Sequence, residues 1–376
     1  MWSGTASGCG SRRSEKSVTP SAPSFISPAT ASCPSGASSA RSWRAERSAP
    51  ETSLKNGKVL RISVTDRCDL RCVYCMPETG VSLVPMADML TYEEIAAVAR
   101  AAMALGVRRF RLTGGEPLAR RGVLSLVGLL SRLGPEDLAM TTNGLRLAEC
   151  AAGLKAAGLK RVTVSLDTLR RDRFETITRR TGFDRIFEGL DTARAAGLVP
   201  IKVNTVVIRG VNDDEVLDFV RFAEKENVEV RFIELMPTSG LSPECKELGS
   251  WRPALFVKGE EIRARVAEAF GPLEPVPDAD GVADIYLVRG RTRLGFITPV
   301  SDPFCRGCQR LRLGPDGRLK ICLFDRDGID VRKALREDKA GPVELGAILR
   351  AAFETKTTWE RGDLESLSSD MFRIGG

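Results

Sequence analysis

The chain contains no histidine among its 376 residues. Metal sites and proton transfers in this protein must therefore use other side chains. A long apolar run is also missing. No stretch approaches the roughly 18 residues that a membrane span requires, which excludes a spanning role for the helices read below. Net positive charge is small outside one tail. The formal net charge is +7, and residues 1–50 hold six Lys or Arg against two Glu. The rest of the chain is nearly balanced, too little to argue for a nucleic-acid partner. An apolar signal core is absent as well. The ten cysteines then point to a reduced compartment, a cytoplasmic one, and to metal–sulfur chemistry rather than a disulfide framework.

What is present is concentrated in residues 60–77, L-R-I-S-V-T-D-R-C-D-L-R-C-V-Y-C-M-P. The pattern predicts a strand over 61–65 that runs into a loop carrying Cys68, Cys72 and Cys75. Three thiolates in a C-x3-C-x2-C loop can hold three corners of a cubane iron–sulfur cluster. The fourth iron is left open to a ligand, as in other catalytic metal sites. A structural zinc knot is the alternative, but zinc asks for a fourth ligand, usually Cys or His. A second set, Cys305, Cys308 and Cys322, has the spacing C-x2-C-x13-C. Pro315, Asp316 and Gly317 predict a hairpin turn inside it. It too offers three sulfurs and suits a second open-iron cluster. Arg310 and Arg312 alternate on one strand beside it. Two guanidinia there suit an anion; a solvated strand face is the plainer alternative.

The remaining pattern organises these motifs. Residues 1–52 are rich in Ser, Ala, Pro and Arg, predict a disordered extension and hold the incidental Cys9 and Cys33. Their composition resembles a transit peptide, which would place the protein in the mitochondrial matrix. Residues 53–237 alternate strand and helix six times, which predicts an α/β fold with a parallel sheet, an incomplete (β/α)6 barrel. Thr91 and Glu94 form a capping box that opens the first helix. Gly114-Gly115-Glu116-Pro117, Thr141-Thr142-Asn143-Gly144, Ser165-Leu166-Asp167, Lys202 and Glu234-Leu235-Met236-Pro237 fall at or near the C-terminal strand ends. In such barrels that rim builds the active site. Singly, each has a bland alternative as a turn or helix cap. Residues 238–376 read as a small α+β domain that begins with an irregular insertion holding Cys245 and Trp251. The slim Gly375-Gly376 end could enter a narrow slot, or simply fray.

With these residues in hand, the chain resembles the radical S-adenosylmethionine enzymes, and within them the family that cyclises GTP in molybdenum cofactor biosynthesis. The likeness runs from about Val59 to Gly376. It includes the cysteine loop, L-T-G-G-E-P-L, T-T-N-G, V-S-L-D-T-L, I-T-R-R, V-N-T-V-V-I-R-G-V-N-D-D-E, R-F-I-E-L-M-P, the F-C-x2-C…C-L-F module and the I-G-G end. The resemblance implies that Cys68, Cys72 and Cys75 bind the cluster that splits S-adenosylmethionine. Tyr74, Gly115, Ser165 and Met236 would contact that cofactor. Cys305, Cys308 and Cys322 would hold a second 4Fe–4S cluster, whose open iron takes the guanine base. Arg61, Arg111, Thr141, Lys202, Arg310, Leu311 and Arg312 would bind GTP, and Gly375 and Gly376 would reach the same cavity. It further implies hydrogen removal from the ribose, ring closure onto guanine, and a reducing protein that supplies electrons. The next pathway enzyme, cyclic pyranopterin monophosphate synthase, would be a functional partner, and a homodimer is compatible. Asp69, Gln309 and Asp302 depart from the family's usual Asn, Asn and His. A peptide-modifying radical enzyme and a non-catalytic metal-binding module are the alternatives.

Overall fold

The structure, a computed structural model, describes residues 57–237, 253–278, 281–303, 305, 308–325 and 327–359. The expectations for residues 1–52, Cys245, Trp251, Gly375 and Gly376 lie outside the described residues. The first half alternates as expected: β1 (Val59–Ser63), α1 (Tyr92–Ala104), β2 (Arg109–Thr113), α2 (Val123–Ser131), β3 (Asp137–Thr142), α3 (Leu147–Ala156), β4 (Arg161–Ser165), α4 (Arg171–Thr178), α5 (Phe183–Ala195), β5 (Lys202–Val207), α6 (Val216–Glu226) and β6 (Glu229–Glu234). There follow α7 (Gly259–Phe270), β7 (Leu273–Val276), β8 (Asp284–Val288), β9 (Thr292–Ile297), β10 (Arg310–Leu313), β11 (Arg318–Lys320), β12 (Ile329–Asp330), α8 (Val331–Arg336) and α9 (Pro342–Thr358). Among the described residues no helix is long and apolar enough to cross a membrane.

All of these strands belong to one sheet, ordered β12-β11-β10-β1-β2-β3-β4-β5-β6-β9-β8-β7. The C-terminal strands do not form a sheet of their own. β10 pairs parallel with β1, and β9 pairs parallel with β6. The six βα units are thus flanked on both sides by strands from the second half of the chain. The array stays open, because each end finishes in an antiparallel ribbon.

Strand composition explains which face is which. In β1 and β2 the alternate residues Leu60, Ile62, Phe110 and Leu112 are fully buried. They belong to the same apolar core as Ile95 and Val98 of α1. Arg61 and Arg111 take the intervening positions, paired across the two strands. Strands buried on both faces usually read as continuous apolar runs. Here one face of each strand is polar, so the interior of the array is a place for ligands. The first helix, α1, starts where the sequence provides a cap. Thr91 accepts from the Glu94 amide, and the Glu94 carboxylate accepts from the Thr91 amide at 2.7 Å. Such a cap is worth about 1 kcal/mol.

Candidate functional site

The first cysteine loop is held by backbone contacts to the segment after β2 and to the end of α4. The Gly115 amide donates to the Thr65 carbonyl and the Glu116 amide to the Arg67 carbonyl, both at 2.7 Å. A Cβ on Gly115 would lie 2.4 Å from the Arg67 carbonyl oxygen, so only glycine allows this approach. On the far side, Arg71 and Val73 donate to the carbonyls of Thr178 and Ile177 at the end of α4. The Cys72 carbonyl accepts from Cys75 and Met76, which turns the chain so that the three sulfurs face one space.

Buried carboxylates tie the rim motifs together. Glu116 accepts from the Leu118 amide (2.9 Å), the Thr142 hydroxyl (2.8 Å) and the Asn143 amide (2.7 Å). Burial nevertheless raises its pKa to about 7. Asn143 donates its side-chain amide to Asp69 at 2.6 Å, which also accepts from Arg146. Tyr74 donates its hydroxyl to Asp167 at 2.7 Å, and the Val206 amide donates to the other oxygen at 2.8 Å. Asp167 is therefore a clamp between the cysteine loop, β4 and β5, and not the helix cap that its motif allows. Burial lifts it to about 6, against the pull of those two bonds.

Cys68, Cys72, Cys75, Tyr74, Gly115, Thr141, Ser165 and Met236 line one cavity of about 170 Å³. Burial pushes the Cys68 thiol up to about 12, with Glu116, Cys75 and Asp69 adding to the rise. Cys72 is pushed well up by burial, and Cys75 and Asp167 add to it. Thiols in such surroundings become ligands only when a metal displaces their protons.

A second cavity of about 140 Å³ is lined by Cys305, Cys308, Cys322, Arg61, Arg310, Arg312 and Lys356. β10 carries the two arginines on one face, and Arg312 stands opposite Arg61 of β1. Burial works against ionisation of Cys308, yet Arg310 and Lys356 outweigh it and hold that thiol below its usual value. Desolvation and the neighbouring Arg310 charge bring Arg312 down to about 10. The predicted hairpin is present, with Leu313 opposite Leu319.

The two cavities meet. Asn204, Ile233 and Met236 line both. Asn204 is the polar member of the three, and its buried Oδ1 accepts no hydrogen bond. Among the described residues no three Cys, Asp or Glu converge closely enough to hold a single metal ion. A cubane takes its ligands at separate corners, which suits cysteines spread around a cavity.

Several expected ligands lie deeper than the rim. Arg61 and Arg111 sit at the middle of five-residue strands, and Arg111 lies 3.6 Å from Asp137. Lys202 is the first residue of β5, at the opposite end from the cysteine loop. It lies 3.3 Å from Glu229 and lines a separate cavity of about 1050 Å³. The expectation that Lys202 falls near a strand end is corrected by the start of β5, and Arg61 and Arg111 likewise lie below the rim, at mid-strand. Leu311 is fully buried in the core, so its side chain faces away from Arg310 and Arg312. Thr141 lines the first cavity and not the second. Sequence patterning singled out neither Asn204 nor Lys356. Asn204 stands two residues after Lys202, and that alternation is the one signal that could have found it.

A parallel array with a three-cysteine loop after β1 is the architecture of the radical S-adenosylmethionine proteins. The Radical SAM superfamily model matches residues 62–223, and the Molybdenum Cofactor Synthesis C model matches residues 228–360. The solved structure of Streptococcus suis SuiB bound to S-adenosylmethionine superposes with a TM-score of 0.53 at 15% identity, over 73% of this chain and 63% of that one. It shares the fold. Among relatives, the GTP 3',8-cyclase of Moorella thermoacetica is 48% identical over 79% of this chain and 90% of its own length. That of Pelotomaculum thermopropionicum is 46% identical over the same shares. The chain belongs to the GTP 3',8-cyclase family. Membership implies a 4Fe–4S cluster and S-adenosylmethionine.

Proposed function

We propose that this chain cyclises GTP to (8S)-3',8-cyclo-7,8-dihydroguanosine 5'-triphosphate, the first step of molybdenum cofactor biosynthesis, with the cofactor in the first cavity and the base in the second. The carrying observation is that the two cysteine-lined cavities share Asn204, Ile233 and Met236. When bound, the first cluster and S-adenosylmethionine supply the carbon-radical chemistry of the family.

The residues then have these roles. Cys68, Cys72 and Cys75 hold the first cluster. Tyr74, fixed by Asp167, sits with Gly115, Ser165 and Met236 around the cofactor. Cys305, Cys308 and Cys322 hold a second cluster that binds guanine. Arg61, Arg310 and Arg312 face the nucleotide there, while Arg111 and Lys202 are assigned to it through the family resemblance alone. Arginine forks suit phosphate oxygens and polar ring edges. Leu311 contributes through its backbone, and Thr141 from the neighbouring cavity. The unfilled acceptor of Asn204 offers a place for a hydroxyl or N–H donor between the two cavities. Walls of packed side chains exclude water from reactive intermediates. Gly375 and Gly376 complete the cavity in this proposal, a reducing protein feeds electrons, and the next pathway enzyme takes the product in the cytoplasm. The boundaries 1–52, 53–237 and 238–376 are retained as functional divisions.

The test is anaerobic turnover of reconstituted protein with GTP, S-adenosylmethionine and a reductant. We expect 5'-deoxyadenosine and a cyclised nucleotide, separated from GTP and identified by mass. Cofactor cleavage with no change to GTP would end the proposal.

A further inference from the structure

Lys356 lies in the last turn of α9, a helix whose charged neighbours read as a solvent-facing surface. It is not solvent-facing. Its side chain is buried, with 8% of the residue exposed. Nζ donates to the Ile321 carbonyl at 2.5 Å and lies 5.8 Å from the centre of the Trp359 ring. Among the described residues no carboxylate stands within ion-pair distance of it. The ammonium lines the second cavity with Cys305, Cys308 and Cys322. A buried charge without a counterion is costly. A lysine is also the side chain that most easily escapes such a cost by reaching for water. That it stays inside means that something anionic belongs in the cavity it faces.

The contact to Ile321 adds direction. That carbonyl belongs to the peptide linking Ile321 to Cys322, so Lys356 anchors the backbone next to one of the three thiols. The arginines that line the same cavity come from β10, and Lys356 comes from a different element. The cavity is thus positive from two sides.

We infer that Lys356 is a positioning residue whose ammonium balances the negative charge of the second cluster and so raises that cluster's reduction potential. This rests on the reading that Cys305, Cys308 and Cys322 hold a cluster. A cation beside an iron–sulfur centre favours its reduced, more negative state, and outer groups of this kind tune metal sites generally. The ammonium is not a ligand and moves no proton in this account.

The test uses full-length protein in which Cys68, Cys72 and Cys75 are all replaced by Ala, so that the second cluster is observed alone. Iron content first decides the underlying reading: about four irons should remain if a cubane is held there. No iron overturns the cluster assignment and the inference with it. The potential is then measured by a redox titration followed by electron paramagnetic resonance. Lys356→Gln should lower it by at least ~59 mV, a tenfold change in a one-electron equilibrium. Lys356→Arg should leave it near the parent value. A merely structural lysine would change iron loading or thermal stability but not the potential of intact clusters. An unchanged potential in Lys356→Gln with the cluster intact overturns the inference while leaving the cluster assignment standing. If Lys356→Gln loses the cluster, Lys356→Arg decides: iron restored at the parent potential supports the inference, and failure to restore it overturns it.

Discussion

The two cysteine triplets have the same ligands and opposite surroundings. The first lies among the carboxylates of Glu116, Asp69 and Asp167, which add to the rise that burial causes in its thiols. The second lies among Arg310 and Lys356, which lower Cys308. Three cysteines alone do not say what a site receives; the second layer of charge does. A negative pocket suits a ligand with ammonium and sulfonium groups, as S-adenosylmethionine has. A positive pocket suits a polyanion such as a nucleotide. Under the proposed function, the same thiol chemistry would thereby receive two occupants that do not compete for each other's place.

The strongest way to break this contrast is to remove each triplet in turn. Replacing Cys68, Cys72 and Cys75 with Ala should abolish 5'-deoxyadenosine formation. Replacing Cys305, Cys308 and Cys322 should keep that product and abolish the cyclised nucleotide. Retained cleavage in the first variant, measured by chromatography, would reverse the assignment. A smaller effect is expected when charge alone is removed from the second pocket. Arg310→Ala or Arg312→Ala loses a charge-assisted contact of roughly 1.5–3 kcal/mol, so GTP affinity should fall roughly ten- to hundredfold. Calorimetry with GTP and with the cofactor would show whether only the nucleotide is affected; equal losses for both would mean that the pockets are not electrostatically separate.

On the acidic side, Tyr74→Phe deprives Asp167 of its hydroxyl partner and should cost ~1–3 kcal/mol of stability. GTP binding should not change, and a parallel drop in GTP affinity would sink the separation. The smallest effect is expected for Asp69→Asn. The new side chain still accepts from Asn143 and gives up only a partly exposed pair with Arg146. Unfolding should shift by less than ~1 kcal/mol. A loss well above that would make the Asp69 charge part of the first pocket's field.

Much of this was legible in the chain. The cysteine spacings, the capping box at Thr91 and the turn at Gly317 are local, and local geometry reads out of adjacent residues. Strand-end motifs were legible together because βα units place equivalent positions on one rim. What escaped is what distant segments decide. The pairing of β10 beside β1 leaves no mark in either stretch, since parallel partners share no turn. Lys202 looked like a rim residue because a strand pattern shows alternation but not depth. Asp167 carried a cap-like motif, and only the fold brings Tyr74 to it. Lys356 is one lysine among the polar residues of the last turn of α9, and its burial depends on the Ile321 carbonyl that approaches from a distant segment.

The flanking of the first six strands by the last ones also governs how the molecule is made. During synthesis β1 emerges early, but its outer neighbour β10 arrives only after every βα unit has been completed. Until then β1 and β6 each present an unpaired backbone edge, the template on which chains join one another by mistake. The strand that brings Arg310 and Arg312 to the second pocket is the same strand that covers the edge of β1. A chain that stops short of it lacks both these arginines and the protection against self-association. A half-made enzyme of this design therefore lacks its second pocket, and quality control has a sticky edge to recognise.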